Sequence, residues 1–263
     1  MKQPILNVTN LTMDFGGIRA LDSVDLDVNS GEIVALIGPN GAGKTTFFNC
    51  ITGIYQPTGG DILLSLPNKS KKVSLKGLKP NKVTERGLAR TFQNIRLFPK
   101  MTVLENVMIG RHCRTKAFIF GAIFRTAATR REEESILETS YAILEKVGLA
   151  EHANEFADNL SYGAQRRLEI ARALATEPLL LLLDEPAAGM NPQETLDLDH
   201  LIKQISQEGQ AILLIEHDMQ LVMSLSDRIF VMDYGKKIAQ GTPAEIRANP
   251  AVIKAYLGEE VDA

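Results

Sequence analysis

The chain has 263 residues, a formal net charge of −3 and 44% hydrophobic residues. That is length for one large domain or two small ones, and the near-neutral balance excludes generic nucleic-acid binding. Cys50 and Cys113 are too few for a disulfide framework and point to a reducing compartment; no uncharged stretch approaches a membrane span, and Met1-Lys2-Gln3-Pro4 opens no signal-peptide core.

Residues 5–11, 24–28 and 33–37 read as strands, broken by Gly16-Gly17 and by Asn29-Ser30-Gly31. The third, Ile33-Val34-Ala35-Leu36-Ile37, is apolar throughout, as expected of a strand buried on both faces. It runs into Gly38-Pro39-Asn40-Gly41-Ala42-Gly43-Lys44-Thr45, followed by Thr46 and a helix over 46–52 that Gly53 ends. The spacing G-x-x-x-x-G-K-[ST] has a physical purpose. Glycines let backbone N–H groups curl around phosphate oxygens, and the helix N-terminus adds partial positive charge. Lys44 would reach the β- and γ-phosphates and the Thr45 hydroxyl would ligate Mg²⁺. The plainer alternative is a Gly-rich turn, but the strand–loop–helix context favours a nucleoside triphosphate site. Phe15, upstream in a turn-rich setting, could stack on the base or fill the core.

Gln56-Pro57-Thr58-Gly59-Gly60-Asp61 is a turn signal before a strand at 62–64. Lys69, Lys71, Lys72, Lys76, Lys79 and Lys82 then read as a solvated surface loop. A strand over 88–92 ends at Gln93, whose amide both donates and accepts and could touch Mg²⁺ or the lytic water. After a turn at Leu97-Phe98-Pro99, Thr102 and Glu105 stand at capping-box spacing and open a helix. Residues 111–131 hold six basic residues and no acidic one, around an apolar run at 117–124.

Leu137, Tyr141 and Leu144 predict a helix over 132–147, closed by Gly148. A second helix, over 160–175, begins at Leu160-Ser161-Tyr162-Gly163-Ala164-Gln165. The most apolar strand, 179–183, ends in Asp184-Glu185-Pro186. A helix over 193–208 leads to the strand 211–215, which delivers Glu216-His217-Asp218. Strands at 228–232 and 237–239 flank Tyr234-Gly235-Lys236, and 243–257 read as a helical tail.

Two carboxylates at a strand's C-terminal end lie where ligands of parallel sheets bind. Asp184 is suited to hold Mg²⁺, directly or through water, and Glu185 to polarise an attacking water; the alternative is a salt-bridged strand end. His217, at the next strand end, could contact the γ-phosphate, whereas His112, His152 and His200 have no such context.

The ordered set Phe15, 38–45, Gln93, 160–165, Asp184-Glu185 and His217 resembles the ATP-binding cassette (ABC) ATPases across nearly the whole chain. In that family these are the A-loop aromatic, Walker A, Q-loop, signature, Walker B with catalytic glutamate, and H-loop. The resemblance implies an α/β P-loop fold with a RecA-like core and an N-terminal antiparallel β-subdomain (1–93 and 176–263), plus an inserted helical subdomain (94–175). It implies Mg²⁺-ATP, a second ATPase subunit (identical or not) whose nucleotide meets Ser161, Tyr162, Gly163, Ala164 and Gln165, and two membrane permease subunits. It also implies indirect service to a solute-binding protein, a place on the cytoplasmic face of the membrane, and no nucleic-acid partner.

Two departures stand out: Tyr162 and Ala164 alter the usual Leu-Ser-Gly-Gly-Gln, and Asn191 stands where many members have Asp. The segments 89–99, 162–172, 214–219 and 255–260 look like the longer ATPase subunit of branched-chain amino-acid importers. The rivals are a urea, lipopolysaccharide or other amino-acid transport ATPase, a soluble ABC ATPase of translation or DNA repair, and a P-loop kinase. Phe98, Met101, Leu104 and the run 118–120, beside Arg114 and Lys116, either pack within the helical subdomain or receive a short helix from a membrane subunit.

Overall fold

The computed structural model describes residues 4–66, 72–114 and 127–257. Strands β1 (Pro4–Phe15) and β2 (Ile18–Asn29) form a long antiparallel hairpin. Strand β3 (Ile33–Ile37) runs through the phosphate loop into helix α1 (Lys44–Ile51). The chain returns to the hairpin with β4 (Gly59–Ser65) on β1 and β5 (Lys72–Ser74) on β4, completing an antiparallel sheet of order β2-β1-β4-β5. Helix α2 (Pro80–Glu85) precedes β6 (Leu88–Arg90). Next come α3 (Val103–Arg111), α4 (Ala127–Lys146) and α5 (Tyr162–Leu174), with no strand between them among the described residues. The rest alternates: β7 (Leu180–Asp184), α6 (Pro192–Gln207), β8 (Ala211–Ile215), α7 (Met219–Leu225), β9 (Arg228–Asp233), β10 (Lys236–Gly241), α8 (Pro243–Arg247) and α9 (Pro250–Leu257).

The second sheet has the order β10-β9-β3-β8-β7-β6, parallel except for the β9–β10 pair. Every residue of β3, β7 and β8 is buried, which is why these strands are apolar runs rather than alternating ones. Their side chains alternate and feed three cores, the third joining Ala35 and Ile37 of β3 to Val222 of α7 and Val231 of β9. Val34, Leu36, Leu180, Leu182 and Leu213 join the β1–β2–β4 sheet and Phe47 and Phe48 of α1. Leu181, Leu183, Ile212 and Leu214 join Val103 and Val107 of α3, Leu168 of α5 and Leu198 of α6. Four neighbouring parallel strands, β3, β8, β7 and β6, therefore release their C-terminal loops along one edge, and those loops carry Lys44, His217, Glu185 and Gln93.

Local chemistry sets the element ends. Gly53, at φ 76°, ends α1: its N–H donates to Cys50 O and that of Ile54 to Asn49 O, the paired bonds of a Schellman cap. A side chain there would clash, since a Cβ on Gly53 would stand 2.3 Å from Leu78 O. Thr102 and Glu105 make the capping box that opens α3, with Glu105 N–H donating to Thr102 Oγ1 at 3.2 Å and Thr102 N–H to Glu105 Oε2 at 2.7 Å. The helix expected over 132–147 starts earlier, at Ala127. The expected strand over 88–92 stops at Arg90: Thr91 N–H still donates to Leu182 O of β7 at 2.9 Å, but both backbone groups of Phe92 are taken up by Arg166 and Glu169 of α5. The lysine-rich loop hides α2, started by Pro80 at its first position. The tail divides in two at Pro250, since the residue before a proline resists helical geometry.

Lys69, Lys71, Lys116, the run 118–120 and residues 258–260 lie outside the described residues. No helix among the described residues is long and apolar enough to cross a membrane.

Candidate nucleotide site

The phosphate loop borders an open cavity of about 440 Å³, lined by residues 40–46, Arg19, Glu185, His217 and Tyr234. Gly43 caps α1 in left-handed geometry, φ 99°, so the first amides of the helix point into the loop. Gly38 is equally constrained: a Cβ there would stand 2.1 Å from Met232 O. Lys44 is buried, and its Nζ donates to Gly38 O (2.6 Å) and Pro39 O (2.8 Å), folding the ammonium over the loop's own carbonyls. Phe15 does not line the cavity. Its half-exposed ring meets Tyr55 edge-on at 5.2 Å.

Gln93, Glu185 and His217, 124 residues apart at the extremes, meet at one carboxylate. Gln93 Nε2 donates to Glu185 Oε2 at 2.7 Å, and His217 Nε2 is hydrogen-bonded to Oε1 at 2.5 Å. Glu185 itself adopts φ 47°, a left-handed conformation that costs an ordinary residue about 1–2 kcal/mol. Its surroundings hold it there: Glu185 N–H donates to Ile215 O, and Ala188 N–H to Glu185 O.

Several charged residues that patterning did not single out support this centre. Arg90 and Asp184 form an ion pair at 2.6 Å, each side chain 7% exposed, and Arg90 also donates to Asn49 Oδ1 at 2.7 Å. The Glu216 carboxylate, buried and with its pKa pushed up by that burial, accepts from Ala187 N–H at 2.8 Å and His217 N–H at 3.0 Å. It thereby joins the loop after β7 to the loop after β8. Arg166 and Glu169 form a fully buried pair on α5, at 2.9 Å, against the backbone of Phe92 and Gln93. Burial pushes the Glu169 carboxyl up, against the opposing pull of Arg166.

Residues 161–165 line no part of the cavity and start α5 elsewhere on the surface. Ser161 is the N-cap, accepting from Ala164 N–H at 3.3 Å; Gly163 N–H donates to Glu194 Oε1 at 3.3 Å, and Gln165 Nε2 donates to Leu160 O at 3.0 Å. Tyr162 turns its hydroxyl inward onto Ala188 O at 3.0 Å.

The ABC transporter family model matches residues 21–188, which include all these motifs except Phe15 and His217. This chain is an ABC transporter ATPase. A second family model, described as a branched-chain amino acid ATP-binding cassette transporter, matches residues 236–262. The chain is 52% identical over 260 residues to the high-affinity branched-chain amino acid transport ATP-binding protein LivG of Salmonella typhimurium, covering 98% of this chain and 100% of that one. It is 51% identical, at the same coverage, to BraF of Pseudomonas aeruginosa, which has the same description. Among solved structures, an ATP-binding cassette of an ABC transporter in its ADP conformation superposes with a TM-score of 0.82 at 33% identity, covering 98% of this chain and 100% of that one. A bacterial ABC transporter cassette solved as a dimer gives 0.73 at 26% identity, covering 90% and 98%.

Within this ABC ATPase, Asn191 caps α6, accepting from Glu194 N–H at 3.0 Å, a task Asn performs as well as Asp. Of the three residues expected to hold a cation, Thr45 lines the cavity, whereas Gln93 and Asp184 do not, Gln93 being bonded to Glu185 and the buried Asp184 carboxylate to Arg90. Among the described residues, no three acidic, His or Cys side chains form a metal cage. A sparse set of hard oxygens suits Mg²⁺, which keeps several waters and takes substrate phosphates as ligands.

Proposed function

We propose that this ATPase powers the import of branched-chain amino acids through separate membrane subunits, hydrolysing ATP between two cassettes on the cytoplasmic face of the membrane. The observation that carries the reading is the 52% identity over the full length of LivG, joined by the branched-chain family match at residues 236–262. On this reading the amides of residues 41–46 cradle the phosphates, and Lys44 exchanges its loop carbonyls for β- and γ-phosphate oxygens. Thr45 and Asp184, with Gln93, would hold Mg²⁺, which neutralises charge on the phosphates when bound. Glu185 accepts a proton from the attacking water, while Gln93 and His217 hold its two oxygens in place. Phe15 stacks on the base, and residues 161–165 of one cassette complete the site of the other.

Residues 94–175 act as the helical subdomain that passes the nucleotide state outward. A groove between α3 and α5, lined by Phe98, Ile109, Cys113 and Arg172, is the surface suited to a permease helix. Phe98 is exposed there beneath Arg172, whereas Met101 and Leu104 are partly covered. Arg114 belongs to the scaffold instead: its guanidinium donates to Thr176 O, Glu85 O and Glu177 O.

Lys44→Ala is expected to weaken binding of a non-hydrolysable ATP analogue by tenfold or more, because it deletes the charge facing the β/γ-phosphates. Equilibrium titration checks it; unchanged affinity with unchanged hydrolysis would mean that the loop serves another purpose. Ser161→Arg should leave nucleotide binding to a single cassette intact and stop hydrolysis in the dimer. Mixing Ser161→Arg with Lys44→Ala subunits should restore one working site, and recovery no greater than in either homodimer would remove support for the shared arrangement. The transport reading is tested by purifying the tagged chain from its own membranes. Permease subunits and ATPase stimulation by a branched-chain-amino-acid-loaded binding protein are expected; stimulation confined to urea or another solute would overturn the substrate.

A further inference from the structure

Tyr162 follows Ser161, the N-cap of α5, and its hydroxyl makes two hydrogen bonds. The oxygen donates to Ala188 O at 3.0 Å and accepts from Arg166 Nη2 at 3.3 Å. The ring is 42% exposed, so it adds little to a core, and its edge lies against Gly189, where an added Cβ would come within 3.4 Å of it.

Arg166 carries the contact inward. It is fully buried, and its Nη1 and Nη2 donate to Phe92 O and Gln93 O, each at 2.7 Å. Its partner Glu169 accepts from Phe92 N–H at 3.4 Å and Arg96 N–H at 3.3 Å. One turn of α5 thus grips both carbonyls and amides of residues 92–96. The Gln93 side chain then reaches Glu185, and Glu185 O accepts from Ala188 N–H at 3.2 Å. The circuit closes on itself: Glu185, Gln93, Arg166, Tyr162, Ala188 and back to Glu185. A left-handed residue persists when its surroundings over-determine it, and Glu185 sits inside this ring.

We propose that Tyr162 is a positioning residue for hydrolysis: its hydroxyl ties the start of α5 to the turn after β7 and so holds Gln93 and Glu185 in register. The inference rests on the reading of Glu185 as general base. It differs from the role of the signature toward a partner's nucleotide, because these contacts lie within one chain.

The test is ATP turnover of the complete transporter carrying Tyr162→Phe, Gln93→Ala, both together, and, separately, Glu185→Gln. Tyr162→Phe keeps the ring and deletes the bonds. It should lower kcat about fivefold to tenfold, within the net worth of the hydrogen bonds deleted, with KM for ATP and the melting temperature unchanged. In the Gln93→Ala background the same change should cost clearly less than in the intact protein, since one of the two arms of the ring, the one through Gln93, is already cut and only the arm through Ala188 is left. Full kcat in Tyr162→Phe, a loss that tracks a lower melting temperature, or losses that multiply in the double variant would each overturn the proposal. Normal turnover in Glu185→Gln would instead reject the general-base reading, a result the Tyr162 variants cannot mimic.

Discussion

Glu185→Gln is expected to lower steady-state phosphate release by roughly 10²–10⁴-fold, the usual worth of a general base, while ATP still binds. The substitution keeps the shape of the side chain and removes its ability to take a proton. Gln93 Nε2 and His217 Nε2 both lie on this carboxylate, so the change strikes the point where three loops converge. With water attack stopped, the protein should accumulate as an ATP-bound dimer, visible as a shift in size on chromatography in the presence of ATP. Phosphate release at the unaltered rate would discard the role assigned to Glu185.

Arg166→Met should be the most destabilising of the changes considered. It removes one member of an ion pair whose side chains are 0% and 2% exposed, leaving the buried Glu169 with the Phe92 and Arg96 amides but without its ion-pair partner. Breaking such a pair costs about 3–5 kcal/mol. For a chain of this size that is a fall in melting temperature of roughly 6–20 °C. Burial already pushes the Glu169 carboxyl up against the opposing pull of Arg166, so losing that pull disfavours the charged form further. Replacing both residues, Arg166→Met with Glu169→Met, should recover much of the loss, because apolar pairs of similar volume are often as stable as the ion pair. A single variant as stable as the unaltered protein would show that the pair is not what holds residues 92–96 against α5.

The sequence made the central strands legible because burial on both faces leaves an unmistakable apolar run bounded by turn residues. The strands at 33–37 and 211–215 match residue for residue, and the third apolar run is displaced by one, to Leu180–Asp184. The antiparallel sheet beside an α/β core agrees with the family fold. Short elements escaped. Met219–Leu225 is a helix of two turns whose apolar residues serve two different cores, so its pattern carries no single stripe, although Asp218 caps it. Lys72–Ser74 is a three-residue edge strand that exists only because β4 offers it a partner.

Within the site, the phosphate loop could be found because its chemistry is local: eight consecutive residues carry it. The supporting charges could not. Arg90 meets Asp184 across 94 positions, and Arg166 meets Gln93 across 73. Nothing in the neighbourhood of either arginine distinguishes it from a solvated one. The only trace is that Arg90 and Glu169 sit at positions their own elements bury, which becomes visible once helix and sheet are set together.

The proposed role of ATP hydrolysed at the Lys44–Glu185 site is to drive branched-chain amino acids across a membrane. Its most direct test measures labelled leucine uptake and phosphate release together, in vesicles holding the complete transporter with this chain as its ATPase. Uptake that requires ATP on the cassette side, rises with phosphate release and stops in both channels with Glu185→Gln is the predicted result. Leucine uptake that persists with Glu185→Gln, or phosphate release that never moves leucine while moving another solute, would contradict it.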